Sequence, residues 1–130
     1  MIKTGTTYEL IKTVEKEHMA SSMRSGCLSV LATPMLIAYL EEAALVMLEK
    51  DLPEGITSVG TEVNIEHLSS TPVGAEVRAK ATLIESDGRI FKFEVEAFDK
   101  AGLIAKGTHT RASVKAEKFQ IKADFKFDEI

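Results

Sequence analysis

Glu41 is a carboxylate whose sequence neighbours place it on an apolar side of a predicted helix. The helix is predicted over Met35 to Lys50, a segment with good helix formers and no internal Gly or Pro. The residues that share the helical face of Glu41 are all apolar: Ile37, Ala38, Ala44 and Leu45. An ionised carboxylate in such a place needs hydrogen-bond donors or a proton, and such a group suits a general base or a nucleophile. A half-exposed or structurally paired glutamate is the alternative interpretation.

His67 is a second polar residue on an apolar face. A strand is predicted over residues 58–68, and its period-two alternation puts His67 on the same face as Val63 and Ile65. A single histidine in that position is usually a core residue with satisfied hydrogen bonds. The combination with Glu41 is more informative, because helix and strand could bring the two side chains together, directly or across a two-fold axis.

Thr33 provides a hydroxyl at the predicted start of the helix. Thr33-Pro34 is a strong start signal, since threonine can accept hydrogen bonds from the first turn and proline is favoured at the first helical position. We therefore expect Thr33 to cap the helix. The same hydroxyl would lie at the positive end of the helix dipole, beside free N–H groups that suit a developing oxyanion.

The elements that must position these residues follow one another in a simple order. Further strands are predicted over residues 6–14, 75–85, 89–98 and 103–115. This order predicts an α+β fold, a meandering antiparallel sheet wrapped around one long helix. Open sheet edges favour pairing with a second copy, so we expect a homodimer. The tail, residues 116–130, is predicted to form an edge strand or a dimer contact, and the sequence leaves that choice open.

Composition limits the classes of function. The chain has 130 residues, the size of a single domain (1–130), and its formal charge of −4 argues against nucleic acid as a partner. One cysteine, Cys27, excludes an internal disulfide, and the three histidines lack metal-ligand spacing. We expect Cys27 to be a small buried residue, and we expect neither a metal nor another cofactor. The start lacks the apolar core of a secretion signal and the longest apolar stretch is too short to span a bilayer, so we expect a cytoplasmic protein without membrane association.

Several motifs together resemble those of the fluoroacetyl-CoA thioesterase-like branch of the hotdog proteins. They are Ala32-Thr33, the eight-residue step to Glu41, Ser58-Val59-Gly60-Thr61, His67 followed by Thr71-Pro72, Gly107-Thr108-His109-Thr110-Arg111, and Glu117-Lys118-Phe119. The resemblance covers residues 6–120. It implies the hotdog fold, in which the sheet wraps around one helix, and an active site at a dimer interface.

The resemblance also implies roles for individual residues. Thr33, Glu41 and His67 would form the catalytic set. Gly60 would offer its backbone near a thioester carbonyl, and with Thr61 and Pro34 it makes up the candidate substrate-binding residues.

The function implied is that of an acyl-CoA thioesterase, which hydrolyses a small or medium acyl-CoA thioester to the free acid and CoA. Its partners would be the acyl-CoA substrate and further copies of the chain, as a dimer or as a tetramer formed by two dimers. Two alternatives stay open. A hotdog hydratase or dehydratase would also use a histidine and a carboxylate on an acyl thioester, and a non-catalytic acyl-thioester-binding module would keep the same pocket.

Overall fold

Five strands form one antiparallel sheet, and a long helix packs on its inner face. The computed structural model describes residues 2–128. In chain order the elements are β1 (Thr7–Thr13), a 3₁₀ turn (Lys16–His18), α1 (Ala20–Met23), α2 (Thr33–Glu49), β2 (Ile56–His67), β3 (Glu76–Ser86), β4 (Ile90–Asp99), β5 (Gly102–Lys115) and α3 (Ala116–Asp124). The predicted α+β class and the predicted strands are confirmed, with boundaries that differ by no more than two residues.

The strands lie in the order β1-β3-β4-β5-β2. The hairpins β3–β4 and β4–β5 form a meander, whereas β2 pairs with β5 at the far edge. The predicted meander of four consecutive strands is therefore wrong for β2. The connection over residues 68–75 is longer than a tight hairpin loop, and it carries the chain across the sheet to β3. As a result β2, which holds Gly60 and His67, is an edge strand.

The inner face of the sheet is lined with small side chains that let α2 approach closely. The fully buried alanines of the strands are Ala79, Ala81, Ala97 and Ala105. The buried face of α2 consists of Leu36, Tyr39, Leu40, Ala43, Ala44, Met47 and Leu48. Burial of this continuous apolar surface fixes the helix on the sheet, and with it the position of every side chain that α2 presents.

The start of α2 differs from the prediction. Ala32 is the N-cap residue and no side chain caps the first turn, so the predicted capping role of Thr33 is wrong. The Ala32 carbonyl accepts from the amide of Leu36 at 2.9 Å. Pro34, in the first turn, has no N–H. Among residues 2–128 the amides of Thr33 and Met35 have no hydrogen-bond acceptor, and the Thr33 hydroxyl is left for another partner.

A β-bulge in β2 changes which residues face inward. Gly60 pairs with Arg111 and Glu62 pairs with Thr110, so Thr61 is an extra residue in the strand. Without the bulge, Gly60 and His67 would face opposite sides of the sheet, because seven is an odd number of residues. The extra residue restores the alternation, and both residues face α2.

The tail forms a helix, α3, so the predicted edge strand is wrong; the predicted dimer contact stays a prediction. The segment contains good helix formers, and the Gln120 side chain donates to Oδ1 of Asp124 one turn later at 2.9 Å. The last two residues of the tail lie outside the described residues. No helix within residues 2–128 combines the length and hydropathy needed to cross a membrane.

Candidate active site

Thr33 and His67 are hydrogen-bonded side chain to side chain. Oγ1 of Thr33 lies 2.8 Å from Nδ1 of His67. Thr33 is exposed at the first position of α2, and His67 is half-buried at the end of β2. The helix start and the strand end thus bring together two residues that are 34 positions apart in the sequence. The bond leaves the other ring nitrogen of His67 to act on a different group.

That second nitrogen, Nε2 of His67, is buried and has no hydrogen-bond partner among the described residues. A buried ring nitrogen without a partner is costly unless a ligand satisfies it. Burial also lowers the pKa of His67 below its ordinary value, while the backbone of Ser69 acts in the opposite direction. A neutral imidazole at pH 7 follows, with one nitrogen held by Thr33.

Glu41 lies at the boundary of the core, as its helical position suggested. Its side chain is 39% exposed, and Oε2 lies 3.9 Å from Nη1 of Arg111. Its neighbour Glu42 makes a separate ion pair with Lys12 at 3.0 Å. Glu41 therefore faces the β2–β5 ladder, where solvent still reaches it, and Glu42 faces β1.

Gly60 gives the Glu41 carboxylate room to approach the sheet. A β-carbon at this position would lie 2.7 Å from Oε2 of Glu41, 3.2 Å from Cε1 of His109 and 3.6 Å from Nη1 of Arg111. The first distance is shorter than any real contact of a β-carbon. Glycine at position 60 is thus a steric requirement of this arrangement.

Arg111 and His109 form a buried polar network beneath Glu41. The exposed fractions are 5% for Arg111 and 2% for His109. Nε of Arg111 donates to the Ser58 hydroxyl at 2.8 Å and Nη2 donates to the Ser58 carbonyl at 2.9 Å. Burial lowers the pKa of Arg111, whereas the negative charges of Glu41 and Glu49 raise it. The guanidinium stays charged.

The tautomer of His109 follows from its two partners. Nδ1 lies 2.9 Å from the carbonyl of Glu62, which can only accept, so Nδ1 carries the hydrogen. Nε2 then accepts from Nη1 of Arg111 at 3.2 Å. Burial is the largest cause that lowers the pKa of His109, and the charge of Arg111 adds to it, so the ring is neutral. The sequence motifs include His109 and Arg111 but did not predict their burial, because β5 carries polar residues on both faces there and no apolar contrast marks the buried one.

The two remaining candidate residues lie beside these groups. Thr61 is the bulged residue; it is exposed, and its hydroxyl donates to the Thr110 carbonyl at 3.2 Å. Pro34 is exposed in the first turn of α2, next to Thr33. Cys27 is exposed, so its predicted burial is wrong.

Within one chain, the candidate site residues form two clusters. The first cluster is Thr33 with His67, and the second is Glu41 with Gly60 and Arg111. Thr33 and Glu41 are eight residues apart on α2, which corresponds to about 12 Å along the helix axis. The structure records no hydrogen bond or ion pair between Glu41 and His67 among residues 2–128. Those residues also contain no group of three or more His, Cys, Asp or Glu side chains that could hold a metal ion.

Residues 14–117 match the family of fluoroacetyl-CoA-specific thioesterases. The chain belongs to this family. The fluoroacetyl-CoA thioesterase of Streptantibioticus cattleyicolor is 32% identical over 111 residues, which are 85% of this chain and 80% of that relative. A solved structure of the fluoroacetyl-CoA thioesterase matches with a TM-score of 0.91 at 26% identity, over 95% of this chain and 96% of that one. The resemblance inferred from the motifs is confirmed.

The fold of this family member is also found in more distant proteins. A hot-dog-like protein from Thermanaerovibrio acidaminovorans matches with a TM-score of 0.85 at 22% identity, over 95% of this chain and 92% of that one. The predicted hotdog fold is therefore confirmed. Both clusters, from Thr33 to Arg111, lie inside the segment that the family matches.

Proposed function

We propose that this chain is an acyl-CoA thioesterase that hydrolyses small or medium acyl-CoA thioesters at a site shared by two copies. The relative and the solved structure described above are named as thioesterases of fluoroacetyl-CoA. The observation that carries the assignment of the site is the Thr33–His67 hydrogen bond, which leaves a buried Nε2 with no partner. A buried nitrogen without a hydrogen-bond partner is rare in a packed core and is expected where a ligand supplies the missing partner.

The open edge of β2 supports a site made by two copies. Residues 60–64 of this strand are exposed, and edge strands favour pairing with another chain. In an antiparallel pair about a two-fold axis, residue numbers opposite each other have a constant sum. A pair centred on Asn64 would place Val63 opposite Ile65 of the partner subunit and, because Thr61 is the extra residue of the bulge, Gly60 opposite His67 of the partner subunit. Glu41, which contacts Gly60, would then face the partner's Thr33 and His67.

Glu41 is the proposed general base. Its carboxylate is open to water on one side and held near Arg111 on the other. It takes a proton from a water molecule whose oxygen attacks the thioester carbonyl carbon. Direct attack by the carboxylate, which displaces the thiolate and leaves a mixed anhydride, is the alternative route. Label found in the Glu41 carboxylate itself after one turnover in isotopically labelled water would identify that route, because water activated by Glu41 places its oxygen only in the product acid.

His67 is the proposed hydrogen-bond donor to the leaving group. With the Thr33 hydroxyl donating to Nδ1, the neutral ring carries its hydrogen on Nε2. As the carbon–sulfur bond breaks, the electron pair stays on sulfur, and the Nε2 hydrogen bond stabilises the thiolate, which takes its proton from solvent. Amides at the helix start and at Gly60 would hold the developing oxyanion. One proton thus moves from water to Glu41, from which solvent removes it, and His67 stays neutral throughout.

The test is Glu41→Gln, with thiol release measured over acyl chains from two carbons upward. Loss of a general base costs about 10²- to 10⁴-fold in turnover, so we expect a fall of that size with the fold unchanged. Glu42→Gln is the matched control, because Glu42 lies next in the helix and pairs with Lys12 instead. An unchanged rate in Glu41→Gln would remove the assignment.

The same assay separates the two alternatives. A hydratase would change the absorbance of an enoyl thioester without releasing thiol, and a binding module would be stabilised by the thioester without hydrolysing it. The proposal keeps the cytoplasmic location expected from the sequence. A multiply charged CoA thioester does not cross a bilayer unaided, so substrate and enzyme must share a compartment.

A further inference from the structure

A basic groove lies at the end of the β2–β5 ladder, against α3. It encloses about 570 Å³. Four of its lining residues are cationic: Arg89, Lys115, Lys118 and Lys122. Ile56 and Phe119 supply apolar surface, and no lining residue is acidic. In a chain with a net charge of −4, this local reversal of charge points to an anionic ligand.

The cations converge because three elements meet. Lys115, Lys118, Phe119 and Lys122 follow helical spacing, so they lie on one face of α3 and its start. Arg89 comes from the turn before β4. Its backbone carbonyl accepts from the amide of Ser113 on β5 at 2.9 Å. None of the four cations forms an ion pair with another residue in the described range 2–128. Their charges are available to a ligand.

Carboxylates near the groove offset part of its positive charge. Glu54 and Glu117 line a neighbouring groove that shares Lys115 and Lys118. They offset part of the charge of those two lysines. Arg89 and Lys122 do not line that neighbouring groove. The Asp87 carboxylate, which accepts from the backbone amide of Arg89 at 2.9 Å, offsets part of the charge of Arg89.

The groove and the candidate active site lie along the same β2–β5 ladder. Along the ladder Gly60 pairs with Arg111, and Ile56 pairs with Lys115. Four residues of strand separate Arg111 from Lys115, a distance of about 13 Å. An extended pantetheine arm is longer than this, so a thioester at Glu41 could have its diphosphate at the groove.

We propose that this groove binds the nucleotide end of coenzyme A. Lys118, Lys122 and Arg89 would bind the diphosphate and the 3′-phosphate, for which ammonium and guanidinium groups are suited. Phe119, which is 48% exposed, would stack on the adenine. This proposal rests on the proposed function, because it assigns the part of the substrate that does not react.

The decisive experiment compares two substrates that differ only in the nucleotide. An acyl-CoA and the matching acyl-pantetheine thioester are assayed with wild type and with Lys118→Ala/Lys122→Ala. We expect the KM for acyl-CoA to rise about tenfold, with kcat unchanged, since two charge-assisted contacts are lost. The KM for acyl-pantetheine should not change. Lys100→Ala/Lys106→Ala removes the same charge away from the groove and controls for long-range steering.

A second comparison tests the aromatic contact. Phe119→Ala should raise the KM for acyl-CoA alone, whereas Phe125→Ala, on the same exposed tail but outside the groove, should not. Direct binding of adenosine 3′,5′-bisphosphate, measured by calorimetry, needs no turnover. We expect wild type to bind it and the double lysine variant to bind it at least tenfold more weakly.

The outcomes separate this proposal from the proposed function. Hydrolysis of neither substrate, with the bisphosphate bound, would refute the thioesterase and support the groove. If both substrates are hydrolysed and the lysine changes alter the two KM values equally, or alter neither, the proposal that the groove binds the nucleotide would be overturned. It would also be overturned if the lysine changes weakened only an acyl carrier protein substrate, since the groove would then recognise an acidic protein surface.

Discussion

Gly60 and Glu41 are placed so closely that any side chain at position 60 would displace the carboxylate. The distance from a β-carbon at position 60 to Oε2 of Glu41 would be 2.7 Å. Gly60 does not have a positive φ angle, so alanine would be acceptable to the backbone itself. The requirement for glycine comes from the neighbouring catalytic candidate and not from a turn.

Gly60→Ala should therefore lower kcat while leaving the fold intact. The methyl group would push the Glu41 side chain away from the ladder, and a misplaced base costs about 10²-fold. Thermal unfolding and circular dichroism check the fold, and thiol release checks kcat. Gly26→Ala is the control, because its β-carbon would meet only Ala20, at 3.3 Å. Equal kcat values for Gly60→Ala and wild type would contradict the placement of Glu41.

Thr33→Val should impair catalysis with little effect on stability. Because Ala32 is the N-cap and no side chain caps α2, valine removes only the hydrogen bond to His67. A true capping threonine would cost about 1 kcal/mol when replaced, so the free energy of unfolding separates the two roles. Thr33→Ser keeps the hydroxyl and should recover most of kcat. A large loss of stability with an unchanged kcat would show that the hydroxyl serves the fold.

The protonation of His67 should make the folded state less stable in acid. Burial lowers the pKa of His67 in the folded state, so the unfolded chain binds a proton first as the pH falls below about 6.5. The free energy of unfolding should decrease as the pH falls through and below this value, and it should level off once the folded state is also protonated. His109 contributes in the same direction. Denaturant melts between pH 5 and 8 should show a weaker dependence in His67→Asn, and an NMR titration that places the pKa of His67 above 6.5 would contradict the prediction.

Mixing two inactive variants should restore activity if two copies share each site. In a mixed dimer of Glu41→Gln and His67→Asn, one site carries both substitutions and the other carries neither. Random exchange of subunits makes half of the dimers mixed, so about a quarter of the wild-type activity should return. Each variant alone, treated in the same way, is the control. No recovery after verified exchange would mean that Glu41 and His67 act within one chain.

The sequence predicted those elements whose burial leaves a periodic signal. β2, β3 and β4 alternate apolar and polar residues because one face of each is buried, and α2 is an unbroken run of good helix formers. The cap of α2, the bulge at Thr61 and the helix of the tail gave no such signal. A cap depends on the backbone before the helix, here at Ala32, and a bulge depends on the pairing of β2 with β5.

The candidate site was predictable residue by residue but not as a geometry. Thr33, Glu41 and His67 were singled out by helix position, helical face and strand face. The sequence left open whether Glu41 and His67 meet within one chain or across a two-fold axis, because that depends on how far apart α2 places Thr33 and Glu41. The burial of Arg111 and His109, which the sequence motifs include, could not be predicted, because both neighbours of His109 on β5 are polar threonines and no apolar contrast marks the buried face.

The extra residue in β2 also constrains how this enzyme could evolve. A deletion at Thr61 would make the strand regular and rotate His67 to the solvent side, away from Thr33, without changing any of the proposed catalytic side chains. An insertion of one residue between Gly60 and His67 would also reverse the face of one of them. Natural variants should thus keep the count of residues from Gly60 to His67 fixed.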